Sequence, residues 1–315
     1  MRLATVLTPF DKHNLTLAAQ CGVTDVTLRY PGRDLSQLAE QQQHVEAASL
    51  RVCAIEGYLP MDNIKFGTAE READLAEMIT LIEYMGRANI PVLCYNFMAG
   101  TDWVRTDIAA PSRGGALTTR FTLQAAKQAV ALNINIEANN TSISEEELWS
   151  NLAWFLERIL PVAEAHHVTL AMHPDDPPLA EFEGKARIMN SVESFTRLIK
   201  MSTSPAHKIC FCQGTFAEMG ADFPATIREL GPHIAYVHFR DIIGTVEDFT
   251  ETFHDAGQTD MVAAMRAYRE VGFDGPIRPD HVPQLIGEEA GEPGYTMLGR
   301  LFAFGYIRGL LQATE

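Results

Sequence analysis

The chain has 315 residues, 46% of them hydrophobic, which is enough to bury the core of one large α/β domain. Asp and Glu number 41 against 25 Lys and Arg, a formal net charge of −16. Such a surface repels phosphate backbones and anionic lipid, so we expect no nucleic-acid or membrane partner. Five cysteines without a disulfide-like spacing, and no recognisable signal peptide or membrane span, predict a reduced cytoplasmic protein.

Short runs rich in Val, Ile and Leu recur along the chain, each followed by a longer helical pattern. We predict strands at 2–9, 24–31, 51–58, 90–97, 168–174, 208–214, 234–240 and 275–281. Apolar residues at three- and four-residue spacing predict helices at 75–88, 148–166 and 260–272, and a closing helix at 295–313.

Eight strand-then-helix units predict a parallel (β/α)8 TIM barrel that takes up residues 1–315 as a single domain. A doubly wound open sheet is the alternative. It normally carries a glycine-rich phosphate turn after its first strand, and residues 7–14 contain no glycine.

The longest irregular stretch is 98–144, between the fourth and fifth predicted strands. Within it we predict a helix near 119–132. Long loops in compact domains usually serve a function or are disordered, and this one would lie at the active face of a barrel. We therefore predict that 98–144 is a lid or insertion.

Four consecutive predicted strands end in residues that bind transition metals once deprotonated, namely His173, Cys212, His238 and Asp280. Strand ends of a barrel meet at one rim, so these side chains are expected to lie together. Each alone has a structural explanation: a hydrogen-bonded histidine, a small buried cysteine or a capping aspartate. Their coincidence predicts one divalent metal site, and Fe²⁺, Mn²⁺, Co²⁺ and Zn²⁺ all suit these donors.

The other strand ends suggest a substrate pocket. Asn96 lies near the end of the fourth predicted strand, and Trp103 and Arg105 follow it. Glu56 lies near the end of the third and Arg278 lies in the eighth. Amides bind hydroxyl groups and arginines bind carboxylates, so this combination suits a polyhydroxylated acid. Loops carry such residues routinely, so ordinary loop positions are the alternative.

An ordered set of motifs resembles the mannonate dehydratase family. The motifs are CYNFM…DWVRTD (94–107), LAMHPDDPP (170–178), FCQG (211–214), VHFR (237–240), GFDGPIRPDH (272–281) and GYTMLGRLFAFGYIRGLL (294–311). The resemblance implies a xylose-isomerase-like TIM barrel. It also implies conversion of D-mannonate to 2-dehydro-3-deoxy-D-gluconate and water, with Mn²⁺ or Fe²⁺, in hexuronate catabolism.

The same resemblance assigns roles to residues. It implies the four metal ligands named above, an acid/base pair formed by His281 and Tyr295, and Arg278 as a substrate-positioning residue. Removing the C2 proton of the substrate builds negative charge beside its carboxylate, which a metal ion stabilises as a Lewis acid. We predict that His281 is the acid for the departing C3 hydroxyl group and that Tyr295 is the base.

Two other functions stay open at this point. One is a sugar or sugar-acid isomerase or epimerase on the same barrel, although such sites usually collect several carboxylates rather than a thiolate. The other is an inactive sugar-acid-binding relative, which the presence of His281 and Tyr295 disfavours. We also expect a homo-oligomer, because the closing helix is apolar and contains FAFGY (302–306).

Overall fold

The computed structural model of the protein describes residues 1–128, 130–131 and 142–315. The strands in this part of the chain are, in order, β1 (Arg2–Thr5), β2 (Asp25–Arg29), β3 (Arg51–Glu56), β4 (Val92–Tyr95), β5 (Val104–Arg105), β6 (Asp107–Pro111), β7 (Leu117–Thr122), β8 (Val130–Ala131), β9 (Thr169–Met172), β10 (Glu181–Phe182), β11 (Lys185–Ala186), β12 (His207–Cys212), β13 (Ile234–Phe239), β14 (Ile242–Thr245), β15 (Asp248–Glu251) and β16 (Pro276–Pro279).

The α-helices of the same residues are, in order, α1 (Lys12–Gln20), α2 (Ser36–Ala47), α3 (Asp62–Phe66), α4 (Arg71–Ala88), α5 (Glu145–Ala165), α6 (Val192–Ile199), α7 (Gln213–Glu218), α8 (Phe223–Leu230), α9 (Met261–Glu270) and α10 (Met297–Ala313). Short 3-10 helices lie at Arg113–Gly115, Leu123–Gln128 and Gly231–His233. No helix among the described residues is both long and apolar enough to cross a membrane.

Eight parallel strands close into a barrel in the order β1-β16-β13-β12-β9-β4-β3-β2, which confirms the predicted TIM barrel. Each predicted strand corresponds to one barrel strand, usually shorter at its ends. The first, predicted for 2–9, ends at Thr5. Pro9, the last residue of the predicted range, could not have extended the strand ladder, because proline has no backbone N–H to donate.

Helices pack against the outside of the barrel through apolar faces. The buried residues of these faces follow the predicted three- and four-residue spacing. α5 begins at a capping box in which Ser144 and Glu147 each accept a hydrogen bond from the other's backbone N–H. Its buried residues are Leu148, Trp149, Leu152, Phe155, Leu156, Ile159, Leu160 and Ala163. The closing helix is also present, as α10, and it starts two residues later than predicted.

The prediction of a helix near 119–132 is wrong for the residues that the structure describes. β7 occupies Leu117–Thr122, and a 3-10 helix follows at Leu123–Gln128. Residue 129 and residues 132–141 lie outside the described residues. β7 is rich in threonine and pairs antiparallel with β6 and β15, so partner strands override the weak helical spacing.

An antiparallel sheet in the order β14-β15-β7-β6 joins the segments that follow β4 and β13. Side chains of this sheet reach the barrel rim, because Glu251 contacts both Arg105 and His281. Part of the predicted insertion at 98–144 is thus regular sheet, held by a strand from more than 100 positions further along the chain.

Candidate active site

The C-terminal ends of β9, β12, β13 and β16 bring the four predicted metal donors together. Ligand atoms of His173, Cys212 and His238 all lie within 4.8 Å of one another. Asp280 is adjacent, with 3.7 Å between its Oδ2 and Cys212 Sγ and 3.8 Å between its Oδ1 and His238 Nδ1. Four side chains from four strands therefore converge at one point on the rim.

The surroundings of Cys212 stabilise its thiolate. Burial raises the pKa of this thiol, but Arg240 and His173 lower it well below its ordinary value. Burial lowers the pKa of His173, yet the Cys212 thiolate beside it raises it to about 9. His173 Nδ1 lies 2.7 Å from the Pro174 carbonyl oxygen, which leaves Nε2 available to a ligand.

Charged partners surround His238 and Asp280. His238 Nε2 lies 3.2 Å from Glu56 Oε2. Arg278 donates to Asp280 at 2.8 Å and forms an ion pair with Glu56 at 2.8 Å. Burial raises the pKa of Glu56, but Arg278 and His238 lower it to about 2. Both carboxylates are thus held as anions, Asp280 within the donor set and Glu56 beside it.

Arg240 is buried beneath the cavity lining and pairs with carboxylates of the site. It was not selected from the sequence. Its side chain is 1% exposed. It lies 2.9 Å from Asp280, 2.7 Å from Asp176, 3.1 Å from Glu218 and 3.2 Å from Glu251. The available signal was its position in the VHFR motif. A guanidinium in this place offsets the negative charge that the donor set concentrates at the rim.

A cavity of about 520 Å³ opens over the donors. Its lining includes the proposed ligands His173, His238 and Asp280, the predicted substrate residues Asn96, Trp103 and Arg278, and the predicted acid/base pair His281 and Tyr295. A volume of this order accommodates a small sugar acid.

Arg105 lies outside this cavity, which corrects the prediction that it contacts the substrate. It is fully buried, and all five of its N–H donors are used. Two go to Asp176 at 2.6 and 3.0 Å, and the others go to Glu251, Thr119 and the Val104 carbonyl oxygen. Since no donor remains, Arg105 instead ties the antiparallel sheet to the barrel.

His281 and Tyr295 are neighbours in the wall of the cavity. His281 Nδ1 lies 2.6 Å from Glu251 Oε1, and its ring stacks on Trp103 with 4.1 Å between ring centroids. The Tyr295 ring meets His281 edge-on at 5.4 Å and lies 4.6 Å from the Arg29 guanidinium carbon. Both side chains are therefore held in fixed orientations by aromatic and ionic neighbours.

Arg29 and Lys65 also line the cavity and supply positive charge to an otherwise acidic chain. Lys65 Nζ donates to Asn96 Oδ1 at 3.2 Å. Sequence reasoning did not select Arg29, whose signal was its place at the end of β2. Because the chain is acidic overall, a site that binds an acid needs local positive charge, and these cations supply it.

Proteins named as mannonate dehydratases match this chain along nearly all of its length. A family model described as D-mannonate dehydratase (UxuA) matches residues 20–315. The mannonate dehydratase of Enterococcus faecalis is 33% identical over an alignment of 341 positions, which covers 96% of this chain and 94% of that protein.

Comparison with solved structures gives the same family. The crystal structure of mannonate dehydratase from Streptococcus suis serotype 2 has a TM-score of 0.89 and 30% identity, covering 100% of this chain and 95% of that chain. A xylose isomerase domain protein from Planctomyces limnophilus is 13% identical with a TM-score of 0.63, covering 99% of this chain and 97% of that chain, a likeness of fold alone. The chain belongs to the D-mannonate dehydratase family.

Proposed function

We propose that the protein is a metal-dependent hydro-lyase that converts D-mannonate to 2-dehydro-3-deoxy-D-gluconate and water. The observation that carries this proposal is the shared cavity. His281 and Tyr295, an acid/base pair, line it together with His173, His238 and Asp280. Family membership supplies the substrate class and the reaction type.

The donor set fits a divalent transition metal, with His173, Cys212, His238 and Asp280 as its ligands. Two imidazoles, a thiolate and a carboxylate are too soft a set for Ca²⁺ or Mg²⁺, and we propose Mn²⁺ or Fe²⁺. His173 gives its other ring nitrogen to a backbone carbonyl oxygen, as metal-bound histidines usually do. When bound, the metal supplies Lewis-acid stabilisation of the negative charge that develops on the substrate.

His281 protonates the departing C3 hydroxyl group. The Glu251 carboxylate accepts a hydrogen bond from Nδ1–H, so Nε2 is the nitrogen that exchanges a proton with the substrate. Stacking on Trp103 holds the plane of the ring. A proton donor fixed in this way loses little orientational freedom when the substrate binds.

Tyr295 accepts the C2 proton. Burial and Asp280 raise the pKa of its phenol above the ordinary value, and Arg29 and Arg278 offset only part of this rise. The Arg29 guanidinium above the ring therefore supplies the positive charge that a phenolate needs. Because Arg29 and Arg278 also line the cavity, they can hold the substrate carboxylate beside the base.

The test is incubation of the purified protein with D-mannonate and added Mn²⁺ or Fe²⁺, followed by a colour assay for a 2-keto-3-deoxy acid. We expect product with wild type and a rate about 10²–10⁴-fold lower with His281→Asn. Other hexonates and pentonates serve as comparison substrates. Interconversion of isomers by NMR without the keto-deoxy acid would instead favour an isomerase.

Three further features stay predictions. They are a cytoplasmic location, assembly as a homo-oligomer, and a lid function for residues 98–144 within a single domain. Light scattering during size-exclusion chromatography measures the second directly. A molar mass equal to one chain of 34.9 kDa would contradict it.

A further inference from the structure

A second group of soft donors lies in the barrel, and the proposed reaction leaves two of its members unused. It consists of Cys94 on β4, Cys210 on β12 and His238 on β13, and its ligand atoms all lie within 4.8 Å of one another. We propose that this triad is a binding site for a thiophilic cation such as Zn²⁺ or Cd²⁺, and that its occupation inhibits the enzyme.

The geometry of the triad is close to what such an ion needs. A tetrahedral zinc ion lies about 2.3 Å from sulfur and about 2 Å from nitrogen, so neighbouring donors stand roughly 3.5–3.8 Å apart. The triad's upper limit of 4.8 Å leaves an adjustment of about 1 Å at most. The sulfur atoms of Cys94 and Cys210 lie within this limit of each other, although the cysteines come from two different strands.

Charge and access also favour a cation here. Two thiolates and one neutral imidazole offset a divalent charge, and a bound metal deprotonates the thiols. Cys94 and His238 line the 520 Å³ cavity, which gives the ion a path from solvent. The Glu56 carboxylate lies 3.2 Å from His238 Nε2 and adds negative charge beside the triad.

The ordinary alternative is that these cysteines are small residues filling the barrel interior. Cys53 provides the comparison, because it belongs to the same buried cluster as Cys94 and Cys210. Its Sγ instead lies 3.7 Å from Thr27 Oγ1, and it belongs to no donor group of the described residues. Interior packing alone therefore does not produce the triad.

Inhibition follows because both donor groups use His238. An ion held by Cys94, Cys210 and His238 places a second divalent charge next to His173 and Cys212, and this charge disfavours a metal ion at the catalytic donor set. Thiolates favour Zn²⁺ and Cd²⁺ over Mn²⁺, so the second group selects a different cation from the one proposed for catalysis.

The binding test uses Cd²⁺ and needs no activity. In a Cys212→Ser background, which removes the other thiolate of the rim, we expect Cd²⁺ to produce an ultraviolet thiolate-to-metal charge-transfer band. Adding Cys94→Ala or Cys210→Ala should abolish the band, and adding Cys53→Ala should leave it unchanged. A band that survives loss of both Cys94 and Cys210, or no band in the Cys212→Ser protein, would overturn the proposal.

The inhibition test uses the Mn²⁺-loaded enzyme and Zn²⁺. We expect Cys210→Ala to raise the half-inhibitory Zn²⁺ concentration at least about tenfold, the scale on which metal affinity responds to changes around a ligand set. Cys53→Ala should match wild type. Equal sensitivity of Cys210→Ala and wild type would refute the inhibitory role. Thermal melting checks folding, and Cys210→Ser serves if the alanine variant does not fold.

Discussion

Glu251 Oε1 lies 2.6 Å from His281 Nδ1, although one residue ends a strand of the antiparallel sheet and the other follows a barrel strand. Both side chains are buried. The sheet thus reaches into the active site and orients the proposed acid.

Glu251→Gln should lower kcat for dehydration by about 10–100-fold and leave KM nearly unchanged, because Glu251 orients His281 and does not line the cavity. Steady-state kinetics on D-mannonate measure this. Glu247→Gln, an exposed change in the same hairpin, is the matched control.

A double variant separates positioning from general damage. If Glu251 acts through His281, then Glu251→Gln combined with His281→Asn should be no slower than His281→Asn alone. Additive losses in kcat would mean that Glu251 acts by another route, for example through its ion pairs with Arg105 and Arg240.

Removal of divalent metal with a chelator should abolish activity, and Mn²⁺ or Fe²⁺ should restore it. Cys212→Ser should retain less bound metal, because a hydroxyl group replaces the thiolate ligand. Elemental analysis of the desalted protein gives the metal content. Cys21→Ser, which changes a half-buried cysteine outside both donor groups, should match wild type.

Arg240→Ala should destabilise the protein by about 3–5 kcal/mol, because several buried carboxylates lose their shared partner. Urea unfolding measures the difference. Arg228 forms a similar short ion pair with Glu270 but is exposed, so Arg228→Ala should change stability little. Equal effects of the two substitutions would contradict the role given to burial.

His254 should make stability depend on pH. Burial lowers its pKa from 6.5 to about 4, and its Nε2 donates to the Phe239 carbonyl oxygen at 2.7 Å. As pH falls below 6.5, the unfolded chain takes up a proton that the folded one refuses. Stability is therefore full above that pH and is lost toward pH 4, by about 2 kcal/mol between pH 7.5 and 5.

Urea unfolding at the two pH values measures this loss. His254→Gln should reduce the loss, whereas His13→Gln, at an exposed position, should not. An unchanged pH dependence in the His254 variant would show that other groups cause it.

The repeated strand-and-helix pattern predicted the barrel, and the rule that strand ends share one rim predicted the convergence of His173, Cys212, His238 and Asp280. Both inferences rest on local order along the chain. Each strand contributes its own residue at its own end, so no knowledge of distant pairing is needed.

Pairing between segments far apart in the chain determined the other features of the fold and the site. β7 became a strand because β15, from far along the chain, lies beside it, and that pairing also put Glu251 next to His281 and closed Arg105 off from the cavity. The proximity of Cys94 and Cys210 likewise depends on which way each side chain points inside a closed barrel. Composition and residue spacing do not predict such contacts, because the contacts arise from packing between segments far apart in the chain.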